Sequence, residues 1–194
     1  MRGEAIKALA HGNTDLAQRA LNRERQANKI FVLLLRLIFT AYQNPNLARA
    51  VGLESGFPLI GYRSVAKNLE LTADNAEDIA TIVADAEKPL DVGSKTMRRI
   101  REFTDQVDEL TRTAVQSVVE RDYDKAIAVG RMYEEITDRE MELIRSLPDM
   151  PNVELLPTRE VLVSLQQTAQ YAMRNAEIAA NLALNEESEH VRIG

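Results

Sequence analysis

An internal repeat constrains this chain more than any other feature of its sequence. Ala5, Asp15 and Ala17 recur as Ala114, Asp124 and Ala126, each 109 residues further on. Across the same stretch Ile6, Leu9 and Ala10 fall over Val115, Val118 and Val119, and the break at Gly12-Asn13 falls over Arg121-Asp122. Each copy then continues into a second and a third segment, and in the third Leu69 falls over Leu165, 96 residues on. The first copy therefore holds a connection 13 residues longer than the second, and the surplus is the Gly- and Pro-containing stretch after Tyr42. A chain written twice in this way folds as two like units that bury their apolar faces together.

The unit is helical. Ala17, Leu21, Glu24, Asn28, Phe31, Leu35, Ile38 and Tyr42 alternate steps of four and three, which sets them along one seam of a helix. Breaks fall at Gly12-Asn13-Thr14, between Asn44-Pro45 and Ser55-Gly56-Phe57-Pro58, at Lys88-Pro89-Leu90-Asp91, and between Pro148 and Pro157. The spacing predicts six helices, at 3–11, 14–43, 59–87, 92–121, 124–146 and 158–187. Asp91 or Ser94 is expected to cap the fourth, and Thr158 the sixth. The expected fold class is all-α: two pseudo-symmetric three-helix bundles, residues 1–88 and 89–194, packed into an elongated, roughly antiparallel body. The first helix of repeat 1 is truncated, about eleven residues against some thirty in repeat 2. It should leave the apolar faces of its partners uncovered over several turns, and the expectation is a fragment of a longer polypeptide or a start at an internal Met.

Composition narrows the function classes. Aromatic residues are only 5% of the chain and there is no Trp. A net charge of -6 argues against this chain itself wrapping nucleic acid, since phosphate neutralisation needs a basic surface. The local clusters Arg19, Arg23, Arg25 and Arg98, Arg99, Arg101 read as solvated helix faces. The absence of Cys excludes disulfides and thiolate metal sites. Ile30 to Phe39, the most apolar stretch, is interrupted by Arg36 and is far shorter than the roughly 20 residues of a membrane span. Met1-Arg2-Gly3-Glu4 lacks the apolar core of a secretory signal. The expectation is a cytoplasmic protein without membrane insertion.

The second and third helices carry motifs of a known family. Asn13-Thr14-Asp15-Leu16-Ala17, then Asn22 to Asn28 leading into Phe31-Val32-Leu33-Leu34-Leu35-Arg36, resembles a second-helix pattern of PhoU proteins. Leu69-Glu70-Leu71-Thr72-Ala73-Asp74-Asn75-Ala76-Glu77-Asp78-Ile79-Ala80 resembles that family's third-helix signature, and Leu165 to Ala176 is the matching stretch of the second copy. The Leu-rich second helix and Tyr62-Arg63-Ser64-Val65-Ala66-Lys67 look most like archaeal PhoU domains fused to AbrB-like DNA-binding domains. The resemblance implies a non-catalytic regulator of phosphate uptake or phosphate-responsive signalling. Its implied partners are a phosphate ABC transporter ATPase or a fused or partner DNA-binding domain, and the implied assembly is a homodimer. The alternatives are a purely structural helical adaptor and a di-metal carboxylate bundle enzyme.

The resemblance also implies a metal site. Some PhoU proteins place acidic pairs four residues apart on the second and third helices and hold iron or other metal clusters between them. Glu70 and Asp74 form such a pair on one helix face, and Glu24 with Asn28 is its second-helix counterpart, with Asp78 a turn further on. Converging carboxylates suit hard or borderline cations, so iron or another divalent metal in repeat 1 is expected on Glu24, Asn28, Glu70, Asp74 and Asp78. No cofactor is required for a regulatory role. The competing reading leaves these side chains hydrated or paired with arginines, where each pair contributes only ~0–1 kcal/mol. In repeat 2 the equivalents are Tyr133, Thr137, Gln166 and Gln170, with Glu134 and Asp138 one residue out of register.

No catalytic residue is expected. A di-iron bundle needs a Glu-x-x-His pair on each of two helices, and of the two histidines only His190 has a Glu three residues before it, Glu187. No Gly-rich phosphate loop precedes a helix.

Overall fold

The computed structural model describes residues 1–50, 56–86, 90, 92–147 and 152–192, with backbone only at 57, 152–153 and 186–192. Among these residues there are seven helices and no strand: α1 (Arg2–His11), α2 (Thr14–Gln43), α3 (Pro45–Ala50), α4 (Phe57–Ala84), α5 (Ser94–Glu120), α6 (Tyr123–Arg145) and α7 (Asn152–Arg192). Helices α1, α2 and α4 pack on one another as the first bundle, and α5, α6 and α7 as the second. The two bundles join along α4 and α7, and a single apolar core runs through both.

The repeat in sequence is a repeat in local geometry. Gly12 ends α1 with φ 57, and Arg121, its equivalent, ends α5 with φ 49. After each turn the next amide closes the same bond, Asn13 N–H to the Ala8 carbonyl and Asp122 N–H to the Ser117 carbonyl, both at 3.0 Å. The Asn13 and Asp122 side chains then cap the following helix by accepting from the Leu16 and Lys125 amides. These bonds satisfy donors and acceptors that a helix end otherwise leaves open. Around both turns the equivalent positions Ala5 and Ala114, Leu9 and Val118, Ala17 and Ala126, and Ala20 and Val129 are all buried.

The two third helices run antiparallel and meet through buried amides. Asn68 Nδ2 donates to Asn175 Oδ1 at 2.8 Å, and Asn75 Nδ2 donates to Thr168 Oγ1 at 3.2 Å. Thr168 passes its own proton to the Ser164 carbonyl. A slip of α4 along α7 would orphan these groups at about 1–3 kcal/mol each, so the pairs hold one register. Gly61 lets the helices close in, since a Cβ there would stand 3.1 Å from Ile178 Cγ2.

Several sequence-predicted boundaries shift. The sixth expected helix begins at Asn152, not 158, and runs to Arg192. Pro157 lies inside it, and Thr158 is no N-cap: its hydroxyl donates to the Glu154 carbonyl one turn back. The connection after Tyr42 contains the extra helix α3, begun by Asn44, whose side chain accepts from the Leu47 amide. Helix α4 starts at Phe57, with Pro58 in its first turn, where the missing N–H costs nothing. In α5, Gly93 with φ 75 occupies the N-cap position and Ser94 is the first helical residue, while Asp91 and the expected 88/89 boundary lie outside the described residues.

The short first helix has the predicted consequence. Helix α5 runs the length of α6, with Arg99 near its start reaching Ser146 just past α6 at 2.6 Å. Helix α1 accompanies α2 only to the level of Arg23, which pairs with Glu4 at 3.2 Å. Beyond that, Leu34 is 37% exposed, whereas its equivalent Leu143 is 1% exposed. Of the predicted α2 seam, Ala17, Glu24 and Ile38 are buried, but Asn28 and Tyr42 face outward. Among the described residues no helix is long and apolar enough to cross a membrane.

Candidate metal centre

Helices α2 and α4 cross antiparallel, which sets Glu24 opposite Asp74 and Glu77, and Phe31 opposite Lys67. Glu24 sits on the buried stripe of α2 and is only 8% exposed. Asp74 and Glu77 are half-buried. One carboxylate oxygen from each of the three lies within 4.8 Å of the others. Oxygens this close could share one hard cation, since two bonds of about 2.4 Å span about 4.8 Å. Among the described residues no Lys or Arg forms an ion pair with any of the three.

The electrostatics reflect that crowding. Burial, then Glu70, Glu24 and Asp78, push the Asp74 carboxyl above its ordinary range against the opposing pull of Lys67. Burial, then Glu24, Asp74 and Asp78, do the same to Glu77 against Arg25. Carboxylates that ionise reluctantly, first because they are buried and then because other carboxylates surround them, gain from a divalent cation, which removes the repulsion and supplies the missing counter-charge. An all-oxygen donor set favours hard or borderline ions over the softer ones that seek thiolates.

Of the five residues expected at this site, Glu24 and Asp74 come together. Asn28 is exposed and acts through Glu24, to whose Oε1 its amide donates. Glu70 lies a turn before Asp74, paired with Lys67, whose ammonium also sits 5.5 Å from the Phe31 ring centre. Asp78 is exposed and reaches the trio only through its charge. Glu77 completes the cluster and was not among the expected ligands. Steps of four and three from Glu70 to Asp74 to Glu77 return to about 20° from the starting direction, whereas two steps of four to Asp78 drift about 80° away. That angular bookkeeping is visible in the sequence.

The equivalent place in repeat 2 has a different chemistry. Gln166 Nε2 donates to the Tyr133 hydroxyl at 3.5 Å, and the Thr137 hydroxyl donates to the Tyr133 carbonyl. Glu134 and Asp138 both face outward from α6.

Comparison with known proteins bears on the fold. The family model of the PhoU domain matches residues 1–83, the repeat that holds the acidic trio. No curated protein sequence matches the chain significantly. Among solved structures, the phosphate transport system regulatory protein PhoU from Streptococcus pneumoniae superposes with a TM-score of 0.75 at 16% identity, over 93% of this chain and 85% of that one. PhoU from Pseudomonas aeruginosa superposes with a TM-score of 0.75 at 20% identity, over 95% of this chain and 88% of that one. Residues 1–83 thus match the PhoU-domain family model, and the chain as a whole shares the fold of the solved PhoU structures.

Proposed function

We propose that this protein is a non-catalytic regulator of phosphate uptake or phosphate-responsive signalling, cytoplasmic and homodimeric, which acts by contact with a partner protein. The observation that carries the reading is the coincidence of the PhoU-domain match with the acidic trio on the same repeat. In this reading Glu24, Asp74 and Glu77 hold iron or another divalent cation, with Glu70 and Asp78 adding negative charge and Asn28 orienting Glu24. The cation joins α2 to α4 and makes the stability of repeat 1 depend on metal supply. The partner is a phosphate-transport ATPase. In the finer form of the proposal the chain is the signal-input and dimerisation part of a transcriptional regulator, a form supported by the likeness of its second and third helices to archaeal fusion proteins.

The test has two arms. Purified protein loaded with Fe(II) or Mn(II) and desalted should retain about one ion per chain, and Asp74→Ala should lose it. Binding of the phosphate-transport ATPase, followed by calorimetry, tests the regulatory role. Failure to retain metal removes the cation site alone. Failure to bind the ATPase, together with unchanged phosphate uptake in a deletion strain, removes the regulator.

A further inference from the structure

The outer face of α2 differs from its counterpart in the other bundle in a way the fold does not require. Lys29, Val32, Leu33 and Arg36 lie at i, i+3, i+4 and i+7, so they form one stripe. Val32 is 49% and Leu33 56% exposed, and Ile30 and Leu37 beside them are more than half exposed. The stripe lines a shallow depression of about 320 Å³. The equivalent positions on α6 are Asp138, Met141, Glu142 and Arg145, and all four face outward although α5 covers the inner side of α6 along its whole length. This face therefore lies outside a complete bundle, and the short α1 does not account for its exposure.

Its chemistry selects a partner. From Arg25 to Ala50 the chain holds Arg25, Lys29, Arg36 and Arg49 and no acidic residue, in a protein whose net charge is -6. Neither Lys29 nor Arg36 has an ion-pair partner among the described residues. An apolar ridge bracketed by cations one heptad apart is complementary to a helix that presents apolar side chains between two acidic ones. A second copy of the same face would bring cation against cation.

We infer that the Lys29–Arg36 face of α2 docks an acidic amphipathic helix of a partner protein. The inference rests on the reading of this chain as a regulator that works by contact, and names the surface through which it does so.

Two labelled synthetic helices of about 18 residues test it, sharing one Leu seam and differing only in Glu or Lys flanks, with binding followed by fluorescence anisotropy to the full chain. The Glu peptide should bind roughly tenfold or more tightly than the Lys peptide. Leu33→Asp, at an exposed position where circular dichroism should show the helices intact, should weaken it roughly tenfold. Arg36→Glu should reverse the preference. Equal binding of the two peptides, or indifference to Leu33→Asp, overturns the inference. So does Leu33-dependent sedimentation with vesicles of equal phosphatidylcholine and phosphatidylglycerol, or a dimer that Leu33→Asp converts to a monomer in light scattering. ATPase binding that survives Leu33→Asp would sink this surface and leave the regulatory reading standing.

Discussion

The two repeats agree where a three-helix bundle needs them to and part where it does not. The turn, the cap and the small buried residues around them are duplicated nearly bond for bond. The positions between the second and third helices are exchanged: the acidic trio of repeat 1 stands where repeat 2 has Tyr133, Gln170 and Met173. Outer positions are exchanged too, apolar and cationic on α2, mixed in charge on α6. The duplicated architecture thus separates scaffold from task. Repeat 2 is the complete bundle, and repeat 1 carries the groups for which packing alone gives no reason.

The largest expected contrast tests that division at equivalent leucines. Leu143→Ala removes a fully buried side chain from a closed bundle and should cost about 2–5 kcal/mol. Leu34→Ala, at the same place in the unit, should cost about 1 kcal/mol or less, since its side chain already meets water. Urea unfolding of the two variants reads the difference. Equal losses would mean that something covers Leu34 in solution and that repeat 1 is as closed as repeat 2.

A smaller effect separates the polar faces. Asp74 and Glu77 have folded-state pKa values raised above those of the unfolded chain. The native state therefore binds their protons more tightly, and the stability this contributes is fully present below the ordinary carboxylate range. It is lost as pH rises through the raised values. In chelator-treated protein, Asp74→Asn should flatten that decline and stabilise the fold near pH 7 by about 1 kcal/mol, the sum of a few like-charge contacts of ~0.2–0.5 kcal/mol each. Glu134→Gln on the exposed face of α6 should leave the profile unchanged. Thermal melts between pH 4 and pH 8 decide it, and a destabilised Asp74→Asn would show that the acids are not in mutual repulsion.

Much of this was legible from residue spacing. The repeat, the all-α class and the junctions at Asn13 and Asp122 follow from local capping chemistry and from apolar periodicity, which act within a few residues. The start of α7 did not, because Pro157 reads as a stop while a proline in the opening turns of a helix is tolerated once packing holds the rest. Helix α3 was hidden in a segment whose Asn44-Pro45 signals a turn and equally well starts a helix. At the site, Glu24 and Asp74 could be chosen from their seams. Glu77 was legible too, from the steps of four and three that return it to the face of Glu70 and Asp74. The solvent-facing position of Asn28 needed the relative rotation of α2 and α4, because a seam drawn on one helix does not say where its neighbour lies.

The smallest effect lies in the turns themselves, where a glycine in one repeat answers to an arginine in the other. Gly12 and Arg121 hold the same left-handed conformation, which glycine adopts freely and arginine does not. Arg121→Gly should relieve about 0.5–1 kcal/mol of backbone cost. The arginine also donates from Nε and Nη2 to the Tyr62 hydroxyl at 3.2 and 3.1 Å, tying the end of α5 to α4 of the other bundle, and losing that link costs about the same. In the single variant these two effects oppose each other. In a Tyr62→Phe background, where the bonds to that hydroxyl are gone, Arg121→Gly should be more favourable than in the parent by about 0.5–1 kcal/mol. Gly12→Ala, with no such bond to gain, should lose about 1 kcal/mol. If Arg121→Gly stabilises equally in both backgrounds, the Tyr62 link contributes nothing.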